Sequence, residues 1–142
     1  MKKILVTTDG SENANKALVE SIHLAEALNL NIDILNVMKD IVISPYMQLD
    51  SYNIQTTEEV EKQGQEILEN ALKLFENFKG QVNTILKIGD PADTIIRESE
   101  KEEYDLIVMG SRGLGTFSRA MLGSVSNKVL NHAKTKNVLI VK

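Results

Sequence analysis

Glycine and serine residues that could bind an anion cluster between residues 105 and 129, in the stretch DLIVMGSRGLGTFSRAMLGSVSNKV. The apolar run 106–109 is typical of a strand buried on both faces of a parallel sheet, and Gly110 follows it directly. A helical pattern of apolar residues begins after Ser124. Glycine lets a ligand approach the backbone, and the first turn of a helix presents unpaired N–H groups. This succession of strand, glycine loop and helix start favours a site for an anion, phosphate above all.

The spacing of the glycines distinguishes this stretch from two common phosphate-binding loops. No Gly-Lys-Ser/Thr follows them, so the stretch is not a Walker loop. The dinucleotide fingerprint needs a tighter glycine spacing at the first strand–helix turn. The pattern is instead Gly110-x-x-Gly113, nine residues, then Gly123-Ser124. We expect backbone amides on both arms, together with the hydroxyls of Ser124 and Ser126, to hold phosphate oxygens.

Composition excludes several classes of protein. The chain of 142 residues is 42% hydrophobic and 25% charged, which is typical of a soluble globular protein with one core. A net charge of −4 without a Lys/Arg cluster argues against a nucleic-acid partner. Without cysteine there is no disulfide, thiolate catalysis or Cys-based zinc site. Apolar runs are too short for a signal peptide or a membrane span, so we expect a cytoplasmic protein.

Apolar patterns alternate between those of strands and those of helices along the whole chain. Five strands are predicted, at residues 4–8, 31–38, 82–88, 106–109 and 137–142. Four helices are predicted between them, at 11–29 with a serine N-cap, 57–80 with a capping box at its start, from 91 after an Asp-Pro cap, and from 124. This order predicts an α/β fold, a five-stranded parallel sheet with helices on both faces in a single domain.

Three stretches carry more specific expectations. One face of the first helix, ending at Leu28, is predicted to lie in the core. The charged run 98–103 is predicted to be a solvated helix face. Residues 39–56 have no clean period, and we interpret them as a variable connector. The alternative is a flap over a ligand or a partner contact.

Side chains near the strand ends could complete a binding site, because ligands of parallel sheets bind at the carboxyl ends of strands. Asp9, Val37 and Gly110 all follow or end predicted strands. Asp9 is compatible with an Asx turn before Gly10, and equally with a contact to a ribose hydroxyl or a cation. Val37 and Met109 are candidates for an apolar slot, with core packing as the other interpretation of Met109. Arg112 could balance phosphate charge.

The glycine motif resembles the phosphate-binding motif of the universal stress protein family, of the universal stress protein A type and its ATP-binding branch. The resemblance covers the whole chain and implies one universal stress protein domain, residues 1–142, with a Rossmann-like, adenine nucleotide alpha hydrolase-like fold. It implies ATP or another adenine nucleotide as ligand, with Mg²⁺ or Mn²⁺ held at Asp9. It also implies a homodimer that pairs through the last strand, Val138–Val141.

The resemblance also implies which residues contact the nucleotide. The adenine and ribose contacts fall on the ends of the first two strands, at Thr7, Thr8, Asp9 and Val37. The phosphate contacts fall on the glycine loop and the helix start, at Gly110, Arg112, Gly113, Gly123, Ser124, Val125 and Ser126, with Met109 alongside.

Several functions remain to be weighed. The favoured one is an adenine-nucleotide-binding stress-response or regulatory dimer. The alternatives are a nucleotide-free dimeric scaffold of the same fold and a slow ATPase. Catalysis has little support, because His23 and His132 fall in predicted helices and no serine–histidine–acid pattern is present. A phospho-accepting receiver domain is disfavoured, because it would need an acceptor aspartate at the end of the third strand, where Ile88-Gly89 stands.

Overall fold

Parallel strands form one sheet in the computed structural model, which describes residues 3–39, 57–101, 104–113, 122–134 and 137–142. The strands are β1 (Lys3–Thr7), β2 (Asn31–Met38), β3 (Val82–Ile88), β4 (Tyr104–Gly110) and β5 (Val138–Val141). The helices are α1 (Glu12–Leu28), α2 (Thr57–Lys73), α3 (Pro91–Lys101) and α4 (Ser124–His132). The strand order is β3-β2-β1-β4-β5, and each neighbouring pair is parallel.

Two apolar clusters lie on opposite faces of the sheet. Successive residues of β1 point to opposite faces, so Ile4 and Val6 join the first cluster while Leu5 joins the second. Helices α1 and α2 supply the first cluster, and α3 and α4 supply the second. The middle residues of β1, Ile4 to Val6, are therefore apolar on both faces, as in sheets covered on both sides. The predicted α/β fold with helices on both faces is confirmed.

Side-chain caps set the starts of α1 and α3. Ser11 Oγ accepts a hydrogen bond from the amide of Ala14 at 3.2 Å, and α1 ends at Asn29 in the left-handed region, with φ 55°. Asp90 Oδ2 accepts from the amide of Asp93 at 2.9 Å, which confirms the predicted cap of α3. The caps therefore place the starts of α1 and α3 where the sequence predicts them.

The predicted end of α2 is wrong. The helix ends at Lys73 and not at Gly80, because the chain then tightens into turns. The amide of Leu74 bonds to the carbonyl of Ala71 across three residues. These turns bring the rings of Phe75 and Phe78 edge to face, 5.9 Å apart.

Two burial expectations are also wrong. Leu28 is 61% exposed, because it is the last residue of α1 and the chain leaves the core there. Glu98 is buried rather than solvated, since it is held 2.6 Å from the ammonium of Lys101 and 3.8 Å from that of Lys87 on β3. Residues 40–56, which include most of the predicted connector and the start of the capping box, lie outside the described residues.

A polar cluster ties the strands together near the amino end of the sheet. The buried carboxylate of Asp33 accepts hydrogen bonds from the hydroxyl of Tyr104 at 2.7 Å and from Asn83 Nδ2 at 3.0 Å. Lys3 Nζ lies 3.4 Å from the same carboxylate. These contacts join β1, β2, β3 and β4 at the edge opposite to the predicted ligand site.

Close packing of α2 on the sheet predicts that Gly64→Ala destabilises the protein. A Cβ at Gly64 would collide with Leu86 Cδ1 and would lie 3.0 Å from Asn36 Oδ1. Overpacking of this kind costs about 2 kcal/mol, and the better helix propensity of alanine returns about 1 kcal/mol. Urea denaturation should therefore show a net loss of about 1 kcal/mol, taking the difference of those two terms.

The exposed neighbour Gln63 on the same helix provides the control. Gln63→Ala should leave the free energy of unfolding within about 0.5 kcal/mol of the wild type. A Gly64→Ala variant as stable as the wild type would contradict the close contact.

Candidate functional site

The strand order reverses at β1 and β4. The chain runs outward from β1 to β2 and β3 on one side, then returns to form β4 and β5 on the other. Val6 is paired with Val108, so the carboxyl ends of β1 and β4 lie side by side. Ligands of open α/β sheets bind in the crevice at such a reversal. The sheet thereby places Asp9 and Gly110 at the two sides of one crevice.

Asp9 faces two parts of the chain at once. Its Oδ1 accepts a hydrogen bond from the amide of Ser11 at 2.9 Å, which is the Asx turn anticipated from the sequence. Its Oδ2 lies so close to Gly113 that a Cβ at Gly113 would collide with it. One oxygen therefore shapes the turn after β1, while the other contacts the glycine loop. The fold brings these two predicted site residues together across the chain.

The two arms of the glycine loop are held together by the carbonyl of Ser111. This oxygen accepts hydrogen bonds from the amide of Gly123 at 2.7 Å and from the hydroxyl of Ser126 at 2.9 Å. The Ser126 hydroxyl also lies 3.1 Å from the carbonyl of Gly123. The Gly123 amide and the Ser126 hydroxyl therefore stabilise the loop. In this structure both donors are satisfied within the protein, so their predicted contact with an anion stays a prediction.

The first turn of α4 presents the free donors of the site. Gly123 is the N-cap residue and has no side chain to cap the turn. Within the described ranges, the amides of Ser124, Val125 and Ser126 donate no hydrogen bond. Unpaired N–H groups at the positive end of a helix dipole attract a negative charge. This turn can therefore bind a phosphate group without any charged side chain.

The crevice is tight around its glycines. A Cβ at Gly110 would lie 3.0 Å from the backbone carbonyl of Asn13, because the first turn of α1 packs over the end of β4. A Cβ at Gly123 would lie 3.4 Å from Cα of Arg112, so the two arms of the loop run side by side. Glycine at 110 allows the first of these close approaches.

The remaining predicted site residues lie at the same edge of the sheet. Val37 is half-buried near the end of β2, and Met109 is buried in the second apolar cluster, near the end of β4. Arg112 is half-buried in the loop. The side chain of Met109 therefore packs in the core as well as lying beside the crevice. All twelve predicted contacts lie at the carboxyl ends of β1, β2 and β4 or at the start of α4.

Two further residues shape the site and were missed from the sequence. Ser111 is the acceptor that joins the loop arms, and its own amide donates to the carbonyl of Val141 at 2.8 Å. Asn36 donates from Nδ2 to the carbonyl of Thr8 at 2.8 Å. Asn36 carried a signal, since it is a polar residue inside the buried strand NIDILNVM. Ser111 acts through its backbone, which every residue has, so the residue type carried no sign of its role.

An ion pair fastens α4 to α3. Lys128 Nζ lies 2.8 Å from Asp93 Oδ1. The hydrogen bond from Lys128 holds the pKa of Asp93 below its ordinary value, and the same bond raises the pKa of Lys128. Both groups stay charged at neutral pH, but the pair is solvent-exposed, so the apolar packing of Val129 and Ile95 in the second cluster contributes more to holding α4 on α3. In the part of the chain that the structure describes, no three His, Asp or Glu side chains come together as a metal site.

The geometry defines a class of protein: an α/β domain with unpaired backbone amides at a helix start beside the reversal of its strand order. Comparison with known proteins gives the family. The family model described as "Universal stress protein family" matches residues 1–142. The universal stress protein YxiE of Bacillus subtilis is 36% identical over 147 residues, covering 99% of this chain and 98% of the relative. The chain belongs to the universal stress protein family.

Solved structures share the fold. The universal stress protein UspA from Lactobacillus plantarum superposes with a TM-score of 0.81 at 26% identity, covering 99% of this chain and 97% of that chain. A universal stress protein in complex with cAMP superposes with a TM-score of 0.73, also at 26% identity and with the same coverage. The part of the chain that the structure describes contains no helix long and apolar enough to span a membrane.

The double contact of the Ser126 hydroxyl predicts that Ser126→Ala loosens the loop. The substitution removes the donor to the carbonyl of Ser111, so the free energy of unfolding should fall by about 1 kcal/mol. Hydrogen exchange at the amide of Gly123 should become faster, because that amide shares the same acceptor.

Ser124→Ala is the matched control, since the Ser124 side chain is exposed two residues away. It should change stability by less than about 0.5 kcal/mol. Unchanged exchange at Gly123 in Ser126→Ala would show that the hydroxyl does not hold the loop.

Proposed function

We propose that this protein binds adenine nucleotides, ATP in particular, in the crevice between β1 and β4, as a cytoplasmic stress-response or regulatory dimer. The observation that carries the proposal is the open first turn of α4. The amides of Ser124, Val125 and Ser126 donate no hydrogen bond within the described ranges, and they lie beside a loop whose glycines are closely packed. The complex of a related universal stress protein with cAMP supports an adenine nucleotide as the ligand class.

Phosphate contacts alone are too weak to hold the nucleotide. A hydrogen bond to a charged group contributes about 1.5–3 kcal/mol, whereas micromolar affinity needs about 8 kcal/mol after the entropic cost of binding. Three such bonds therefore need help from the base and the ribose. Thr7, Thr8 and Asp9 on one side and Val37 on the other would hold these groups. Met109 would contribute apolar surface beside them.

Asp9 gives the proposal a cation dependence. Its Oδ2 contacts Gly113 in the phosphate-binding loop, so a polyphosphate bound there would meet a negative charge. The residues fit a nucleotide if a divalent cation, Mg²⁺ or Mn²⁺, lies between them or if the carboxylate accepts from a ribose hydroxyl. The cation would neutralise charge, while the backbone amides hold and orient the phosphates.

We propose binding rather than hydrolysis. His23 lies on the exposed side of α1, and His132 is exposed at the end of α4 opposite to its open amides. Neither imidazole is placed to activate a water beside the phosphates, as a general base must be.

Isothermal titration calorimetry tests the proposal directly. ATP with Mg²⁺ should bind with micromolar affinity, and removal of the cation should weaken binding because Asp9 is left facing the phosphates. Titration of GTP with Mg²⁺ shows how much the affinity depends on the base. Absence of binding below millimolar ATP would contradict the proposal.

Gly113→Val should reduce the affinity for ATP at least tenfold, a loss of about 1.4 kcal/mol or more. Its side chain would collide with the Asp9 carboxylate and displace the loop from α4. Gln63→Val, at an exposed position of α2, serves as the control for a surface valine. Equal ATP affinity in Gly113→Val and the wild type would exclude this loop from the site.

Strand β5 supports the dimer. It is the edge strand of the sheet, and its four residues are apolar and only half-buried. Open edges of this kind pair readily with another strand. We expect a dimer that pairs through Val138–Val141, seen by analytical ultracentrifugation. A monomer at high micromolar concentration would contradict this part of the proposal.

A further inference from the structure

Asn36 is a polar side chain inside an apolar layer. It lies on β2 and is 1% exposed. Ile34 and Ile32, which precede it on the same face, are fully buried in the first apolar cluster. Helix α2 covers this position, because a Cβ at Gly64 would lie 3.0 Å from Asn36 Oδ1. An apolar residue here would continue the pattern of the strand.

Only one half of the Asn36 amide is used within the described part of the chain. Nδ2 donates to the carbonyl of Thr8 at 2.8 Å, while Oδ1 has no hydrogen-bond partner. The opposite orientation of the amide would bring two oxygens together, so the contact with Thr8 fixes how the side chain points. A buried unpaired oxygen is unfavourable. Proteins accept such a local cost chiefly where a functional geometry requires it.

The contact fixes the distance between two neighbouring strand ends. The amide of Thr8 donates to the carbonyl of Leu35 at 2.9 Å, and Asn36 adds the second bond to the same residue. Thr8 is thus bound to β2 through both its amide and its carbonyl. Asp9 follows Thr8 directly, and Val37 follows Asn36. These two residues lie on the two sides of the proposed nucleoside slot.

We propose that Asn36 is a positioning residue that sets the width of the nucleoside slot between Asp9 and Val37. This inference rests on the proposed nucleotide binding. Asn36 touches no ligand and acts through the carbonyl of Thr8. We expect its main effect to be on the base and ribose, because the open amides that would bind phosphate lie on α4, beyond β1 and β4 in the sheet.

The test compares ATP and AMP in Asn36→Leu, which keeps the size of the side chain and removes the donor. Both nucleotides share the nucleoside, so both affinities should fall by the same factor, about tenfold. Gly113→Val provides the reference for a phosphate defect and should weaken ATP more than AMP. Calorimetry of both nucleotides with each variant gives the comparison.

Ile34→Val is the matched control for lost core packing. It removes a methyl group from the same face of β2 and leaves the hydrogen bond between Asn36 and Thr8 in place. Its affinities for ATP and AMP should equal those of the wild type. Asn36→Thr, which is too short to reach the carbonyl, replaces Asn36→Leu if circular dichroism shows that the leucine variant is unfolded.

A second readout needs no nucleotide. Hydrogen exchange at the amides of Gly10 and Ser11 should become faster in Asn36→Leu, because both bond to side chains of the turn that Asn36 holds. The inference is overturned by unchanged exchange there, by equal affinity in Asn36→Leu and the wild type, or by a larger loss for ATP than for AMP. A wild type that binds neither nucleotide contradicts the proposed function instead, and the exchange data still decide whether Asn36 holds the turn.

Discussion

The carbonyl of Ser111 is the acceptor on which the site depends. It accepts hydrogen bonds from the amide of Gly123 and from the hydroxyl of Ser126, so these two donors at the start of α4 are satisfied within the protein. The next three amides are left without a partner in the described ranges, at the positive end of the helix. Unpaired donors at a helix start favour a negative charge, and a phosphate group supplies several acceptors. The way in which the loop closes thus decides which donors remain open.

The sheet places this turn beside the groups that would contact the rest of a nucleotide. Because the strand order reverses at β1 and β4, the end of β1 lies against the glycine loop, and the Asp9 carboxylate contacts Gly113. On the other side of β1, Thr8 is bound to β2 by two hydrogen bonds. The crevice is therefore held on one side by the Asp9 carboxylate and on the other by the bonds of Thr8 to the backbone of Leu35 and the side chain of Asn36.

Much of the fold follows from patterns that are local in the chain. Alternation of strands and helices, the caps at Ser11 and Asp90 and the edge position of the last strand were predicted and are confirmed. The end of α2 was not, because the chain passes into tight turns after Lys73. The burial of Glu98 depends on a lysine on another element. Such contacts have no signature in a short window of sequence.

The site was predictable at the level of elements and less so at the level of atoms. Glycine and serine spacing indicates a loop that presents amides, yet it does not tell which amides the protein keeps for itself. Gly123 and Ser126 bond to Ser111, whose carbonyl has no sequence signature. Membership of the universal stress protein family agrees with the resemblance of the motif. The assignment of individual contact residues stays a prediction.

The most direct measurement is nuclear magnetic resonance of the protein labelled with ¹⁵N, titrated with ATP and, separately, with adenosine. If α4 binds phosphate, ATP should shift the amide signals of Ser124, Val125 and Ser126 strongly, while adenosine should leave them nearly unchanged. Signals that respond equally to both ligands, or to neither, would contradict the account.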